Sequence, residues 1–236
     1  MARLQALSAS PFSSTIRTPT VRHLGQAHEV FPHPWSVLDW IDGTDAWSAR
    51  ATLAEHDHQL AADLAEAVLA IGELSGLPAP ERRPGRRGGT IEPLVRTIDR
   101  WLGDPQWSAE GLVDAAAVRR LAREALEVSD EPVVAGFTHG DLIPGNLLVD
   151  GGRLTAILDW GGAGHGDRAQ DLAPAWAVLD AGARATFRSA VGADEATWIR
   201  AWTFELEHAV GGVLYDVPRR HPLGDVMART LERILA

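Results

Sequence analysis

Apolar residues recur with two different periods along this chain, and each change of period marks a new element. From Trp35 to Ile41 (Trp-Ser-Val-Leu-Asp-Trp-Ile) they alternate closely enough for a strand, and Asp42-Gly43 ends it with a turn. Leu53, Leu60, Leu64, Val68, Ile71 and Leu74 then lie on one face of a helix that Gly76 and Pro78 stop. Thr52 with Glu55 makes a capping box at its start. Two further helices are expected near residues 91–102 and 111–128. Behind Pro132, Val133–Phe137 reads as a short strand. Asn146–Val149 and Arg153–Leu158 are two more, joined by Asp150-Gly151-Gly152, a tight hairpin signal. From about Asp171 the pattern is helical: Leu172–Leu179, Ala183–Val191, Glu195–Val210 and Val226–Leu235. Residues 1–20 are irregular apart from a short helix near Leu4–Leu7. The Arg/Gly/Pro stretch at residues 78–90 reads as an exposed, mobile connection rather than a nucleic-acid arm. Nine tryptophans, Trp176, Trp198 and Trp202 among them, fall at helical spacings and read as core.

Composition narrows the partners. The chain has 236 residues, enough for one substantial domain or two small lobes. A net charge of −10 disfavours nucleic acid and anionic membrane, and is compatible with a cationic small molecule. Zero cysteines exclude disulfides and thiolate metal sites. No apolar run is long enough to span a bilayer, and Met1–Pro11 lacks the apolar core of a signal peptide, so the default expectation is cytoplasmic. All 22 basic residues are arginine; there is no lysine.

The chemistry concentrates in His139-Gly140-Asp141-Leu142-Ile143-Pro144-Gly145-Asn146, followed by Ile157-Leu158-Asp159-Trp160. Phosphoryl transfer needs one carboxylate to receive a hydroxyl proton. It needs a second carboxylate, with an amide oxygen, to hold magnesium against nucleotide phosphates. Asp141, Asn146 and Asp159 fill those roles: Asp141 as base, Asn146 and Asp159 as metal ligands. The hairpin between them carries the chain out and back, so the three side chains are expected to converge at one end of a small sheet. His139 is expected to tie the loop by hydrogen bonds rather than to act as acid or base. Gly161-Gly162-Ala163-Gly164-His165-Gly166 follows a strand, yet it is not the dinucleotide G-x-G-x-x-G spacing. Its glycines are expected to let the backbone turn after Asp159 and pass close to the metal. Asp167 and Asp171 are expected to brace this loop. His56 and His58 lie two apart in a helix and make a poor metal pair. Glu205, Glu207 and Asp216 are candidates to meet substrate, though a solvated helix face is the simpler expectation.

The segment from His139 to Leu172 resembles the catalytic and metal loops of the aminoglycoside phosphotransferase family, which is related to choline and homoserine kinases. Pro34–Gly43 is similar to that family's last N-lobe strand and hinge. Arg87-Gly88-Gly89 and Asp194–Trp198 extend the resemblance, which covers roughly residues 20 to 236. Ile143 departs from the histidine often found there. The resemblance implies an α+β, protein-kinase-like fold: a remnant N-lobe and hinge over residues 1–43 and a largely helical C-lobe over residues 44–236. It implies ATP or GTP with magnesium as cofactors and a small hydroxylated acceptor, aminoglycoside-like and thus cationic among the options. Leu38, Asp39, Trp40 and Ile41 would offer backbone hydrogen bonds to the adenine or guanine. The departure lies at the N-terminus, where the family's phosphate-binding lysine and Gly-rich loop have no counterpart and the chain starts near the end of the glutamate helix. A truncated pseudokinase or a ligand-binding module is therefore the alternative. An exposed strand edge at residues 20–41 is expected to be covered by the N-terminal segment or by a partner chain, such as a second copy.

Overall fold

The computed structural model describes residues 16–53, 57–77, 80–82, 86–107 and 111–236. The expected helix at Leu4–Leu7 and the capping glutamate Glu55 lie outside the described residues. Three small antiparallel sheets sit beside a helical body. Strands β1 (Val21–Gly25) and β2 (Trp35–Leu38) form a hairpin. Strand β3 (Thr44–Asp45) joins β5 (Leu147–Asp150), which pairs with β6 (Arg153–Ile157). Strand β4 (Ala135–Thr138) pairs with β7 (Gly164–Asp167), from Ala135 opposite Asp167 to Thr138 opposite Gly164. The helices are α1 (Arg50–Leu53), α2 (Asp57–Gly72), α3 (Glu92–Gly103), α4 (Ala115–Leu126), α5 (Pro174–Ala177), α6 (Ala181–Val191), α7 (Glu195–Asp216) and α8 (Leu223–Leu235).

The helical core follows from the apolar stripes. Leu60, Leu64, Val68 and Ile71 of α2 are all buried, and α2 packs on α6. Helix α7 is buried on most of its girth, from Ile199 to Leu214, because α8 and α3 flank it. A helix apolar around its circumference belongs in an interior. Each fully buried Leu, Ile or Phe contributes about 1.5–3 kcal/mol over an exposed one, so this bundle carries most of the stability. Aspartates cap the helices: Asp114 accepts from Ala116 N and Ala117 N, Asp180 from Ala183 N, and Asp194 from Thr197 N. Gly192, at φ 65°, ends α6 in the left-handed conformation that costs glycine least.

Several boundaries moved. Strand β2 stops at Leu38, three residues before the expected end, because Asp39 turns its backbone amide to Thr20 O. Helix α7 runs to Asp216, well past Val210, since Val213 and Leu214 continue its buried face. Only Pro174–Ala177 of the expected helix Leu172–Leu179 is α-helical, preceded by a 3-10 turn over Arg168–Leu172. Tryptophan is not uniformly core: Trp176 and Trp202 are buried, but Trp35 is 41% and Trp40 88% exposed. The β1–β2 hairpin holds Val37, Leu38 and Trp40 in solvent, and no residue between Ile16 and Ala46 joins the main core.

The β5–β6 hairpin forms as expected. Asp150 faces Arg153, and the two loop residues Gly151 and Gly152 have φ of 54° and 78°. Two consecutive positive φ values define the type I′ turn, which glycines adopt without strain and whose twist matches the strands. Asp63 of α2 clamps this hairpin, accepting from Arg153 Nε at 2.7 Å and from Leu154 N at 3.0 Å.

Candidate active site

Strand β4 delivers the chain into the loop that begins at His139, and β6 delivers it to Asp159. Four ties lock the two loops together. His139 Nδ1 accepts from Asp141 N at 3.2 Å, while Nε2 donates to Leu158 O at 2.9 Å. That pairing fixes one tautomer of a neutral ring. Complete burial agrees, pushing the His139 pKa down to about 4. Trp160 meets the imidazole edge-on, ring centroids 4.6 Å apart. Asn146 O accepts from Leu158 N at 2.8 Å. Asp171 accepts from His139 N at 2.6 Å and Gly140 N at 2.8 Å. Burial raises the Asp171 carboxyl to about 6 against these two amides. His139 is thus a strut, and Asp171 is the brace beneath it.

Within that frame, Asn146 Nδ2 donates to Asp141 O at 2.8 Å and to Asp141 Oδ2 at 3.2 Å. The amide oxygen Oδ1 then points away, with no protein partner among the described residues. Asp159 sits in the left-handed region at φ 52°, ψ 66°, and one carboxylate oxygen accepts from Gly161 N at 3.2 Å. Aspartate tolerates that region better than most residues, and such outliers cluster where a side chain must be aimed. Its second oxygen is unclaimed among the described residues. Asn146 Oδ1 and Asp159 thus present hard oxygen donors of the kind magnesium takes, one or two from protein and the rest from phosphates and water. Among the described residues no three His, Asp or Glu side chains form a self-sufficient metal cage. The residues present fit an ion shared with a nucleotide.

Asp141 opens onto a cleft of about 520 Å³ whose other walls are Pro80–Arg82, Arg86, Arg87, Gly140 and Gly162. This wall is the expected connection, and it is fixed rather than mobile over its described parts. His165 N donates to Pro80 O, Arg82 N to His165 O and Asp167 N to Gly88 O, adding the loop to the edge of β7. Arg82 reaches inward, donating to Gly162 O at 2.5 Å and Thr138 Oγ1 at 3.2 Å. A Cβ on Gly140, Gly164 or Gly166 would collide with its side chain. These glycines therefore cradle an arginine; seating the metal is not what Gly164 and Gly166 do. Arg87 Nη1 lies 3.7 Å from Asp141 Oδ1 and 3.1 Å from His208 Nδ1. Sequence reasoning missed Arg82, Arg86 and Arg87 as site residues. The glycines after Asp159, expected to pass close to a metal, were a signal that something bulky lies across them. Asp167 braces the same wall through Arg200, a fully buried pair at 2.7 Å.

The remaining candidates are more scattered. Leu38 and Trp40 are exposed, Asp39 pairs with Arg22, and Asp39 N is already committed to Thr20 O, so one of the four expected hinge residues has its amide engaged. Glu205 is buried and Glu207 faces a hollow, so neither lies on a solvated helix face. Asp216 is buried near the end of α7.

The model of the phosphotransferase enzyme family matches residues 1–207. The chain belongs to this family. An aminoglycoside 3'-phosphotransferase of Escherichia coli is 38% identical over 93 residues, which is 39% of this chain and 31% of that enzyme. A hygromycin-B 4-O-kinase of Escherichia coli is 36% identical over 61 residues, 26% of this chain and 18% of the kinase. The matches thus span less than a third of these relatives' lengths. Among solved structures, the GDP and kanamycin complex of APH(2")-IIia superposes with a TM-score of 0.67 at 16% identity, over 99% of this chain and 80% of that one. A macrolide 2'-phosphotransferase from Brachybacterium faecium gives 0.54 at 19% identity, over 98% and 78%. The fold is the kinase-like one these enzymes share. No helix among the described residues is long and apolar enough to cross a membrane.

Proposed function

We propose that this chain transfers the γ-phosphoryl group of ATP or GTP to a hydroxyl of a small molecule, with magnesium. The observation that carries the reading is Asp141, held by Asn146 and His139 at the mouth of a cleft, with Leu158, the neighbour of Asp159, tied to the same His139 and Asn146. Asp141 accepts the acceptor's hydroxyl proton as that oxygen bonds to the γ-phosphorus. The bond from the γ-phosphorus to the β-phosphate bridging oxygen breaks, and the nucleoside diphosphate leaves. Asn146 holds the Asp141 carboxylate in place through Oδ2, and Asp171 holds the loop backbone. Asn146 Oδ1 and Asp159 would hold the metal, which when bound neutralises charge on the transferring group. Arg87 adds positive charge at the acceptor side of the same centre. Relatives named for aminoglycoside, hygromycin and macrolide phosphorylation support a hydroxylated natural product as acceptor. Residues 1–43 as lobe remnant and hinge, and a cytoplasmic site of action, belong to the same reading.

The open hinge gives weight to the second reading, a binding protein without transfer. Calorimetric titration with ATP and GTP, with and without magnesium, separates the two. Magnesium-dependent binding that survives Asp141→Ala, together with loss of all turnover in that variant, is the outcome expected of a phosphotransferase. Absence of binding to either nucleotide, or full turnover in Asp141→Ala, would sink it.

A further inference from the structure

A short series of contacts joins the interior of α7 to the carboxylate of Asp141. Glu205 Oε2 lies 3.6 Å from His208 Nδ1, the same Nδ1 lies 3.1 Å from Arg87 Nη1, and that Nη1 lies 3.7 Å from Asp141 Oδ1. Only the middle contact is short enough to be a hydrogen bond. A guanidinium can only donate, so Nδ1 must be the acceptor. His208 is therefore a neutral ring with its proton on Nε2. Glu205 gains no hydrogen bond from that nitrogen. Its side chain is 1% exposed, and its Oε1 has no hydrogen-bond partner among the described residues.

Arg87 answers to more than one carboxylate. Asp141 is one. Glu207 is another: burial raises its pKa, and Arg87 opposes that rise ahead of His208, with Glu205 adding to the rise and Arg86 opposing it. The positive charge is matched, so what matters is where the guanidinium stands. Asp141 has one oxygen to spare, because Oδ2 already accepts from Asn146 at 3.2 Å. Oδ1 is the atom left to take a proton from an acceptor hydroxyl, and Arg87 is the cation beside it. A shift of about 1 Å would turn that gap into a charge-assisted hydrogen bond and occupy Oδ1. The hydrogen bond to His208 restrains the shift, and His208 rides on α7, which α3 and α8 flank.

We propose that His208 is a positioning residue: its neutral Nδ1 holds Arg87 just short of Asp141, so that Oδ1 stays open to the acceptor hydroxyl, a consequence that rests on the phosphotransferase reading. Two readouts need no turnover. Long-range proton–nitrogen NMR of the full chain, with the His208 ring assigned by its loss in His208→Asn, is expected to show a bare Nδ1 and a protonated Nε2 in mildly alkaline buffer. The Nδ1 signal is expected to move in Arg87→Met. A crystal structure of His208→Leu is expected to show Arg87 closed to hydrogen-bond distance of Asp141 Oδ1. A proton on Nδ1, an Nδ1 signal indifferent to Arg87→Met, or a guanidinium that does not close on Asp141 would overturn the proposal.

The third readout is kinetic, with ATP or GTP, magnesium and kanamycin as the probe acceptor. His208→Leu, checked for an unchanged melting transition, is expected to lower kcat about tenfold or more and to change the nucleotide KM by less than about twofold. His208→Asn, whose Oδ1 stands at the same remove from Cβ as Nδ1, is expected to recover most of the loss. In an Arg87→Met background the leucine substitution is expected to cost nothing further. Equal losses in the leucine and asparagine variants, or losses that add to that of Arg87→Met, would also overturn it. If NMR and crystallography hold but the wild-type protein consumes no nucleotide, the phosphotransferase reading fails alone. Turnover together with a failed NMR or crystallographic readout defeats the role of His208 alone.

Discussion

Replacing Asp171 by asparagine keeps the shape of the brace under the catalytic loop but removes its titration. The side chain is 2% exposed and accepts from His139 N and Gly140 N. Its pKa is raised from 3.8 to about 6, chiefly by burial. The sign is that of a raised acid. Between those values the folded state binds the proton at this site and the unfolded chain does not, so the stability contributed by Asp171 grows as pH falls through about 6. The asparagine variant lacks this contribution, while the loss from His139, which stays neutral in the fold but is protonated in the unfolded chain as pH falls, is common to both proteins and cancels in their difference. The full gain is about 3 kcal/mol, of which roughly 1 kcal/mol falls between about pH 7 and pH 5. For a chain of this length that amounts to about 2–4 °C in melting temperature. Wild type and Asp171→Asn are melted in parallel across this range. The wild-type advantage must grow by that amount on acidification, whatever its size at neutral pH. An advantage that stays flat or shrinks would mean that Asp171 ionises as an ordinary surface acid, and the buried brace would be refuted. A kcat loss larger than any change in nucleotide affinity is also expected of Asp171→Asn, since the brace positions Asp141 and touches no nucleotide.

Two substitutions probe the arginine wall and a third probes the first hairpin. Gly166→Ala forces a methyl into Arg82 and Gly88 O, and is expected to cost about 1–3 kcal/mol, read by urea unfolding; an undisturbed midpoint would show that the wall is not seated on β7. Arg82→Ala empties the cradle without breaking backbone pairing, so it is expected to lower stability by about 1–3 kcal/mol through the carbonyl of Gly162 and the hydroxyl of Thr138 left without that donor; no loss would argue that Arg82 swings free in solution. The exposed apolar face of the first hairpin is expected to be covered by a second copy, so light scattering should report a dimer that Trp40→Ser with Val37→Ser dissociates; a monodisperse monomer would refute this.

The parts of the site that could be read from residues alone are those built by local rules. Two adjacent glycines after Asp150 dictate a two-residue turn, and that turn returns the chain to Asp159. A histidine two residues before an aspartate, followed by Pro-Gly-Asn, is a tight loop whatever the rest of the chain does. The arginine wall was not legible because backbone pairing across roughly eighty residues holds it. Pro80 and Arg82 meet His165 through main-chain atoms, which leave no pattern in side chains. Composition made residues 78–90 look like a free connection. The extra length of α7 beyond Val210 was not legible either: Gly211 and Gly212 admit Trp101 and Met227 against the helix, a packing reason that no local pattern shows.

The described parts of the loop carrying Arg82, Arg86 and Arg87 pair with β7 through main-chain hydrogen bonds, and β7 follows directly on the turn that holds Asp159. The arginine wall, the loop from His139 to Asn146 and the turn at Asp159 therefore ride on one piece of sheet. Because Arg82 occupies the space that side chains on Gly140, Gly164 and Gly166 would need, the arginine wall and these three glycines can only be exchanged together, as a cassette.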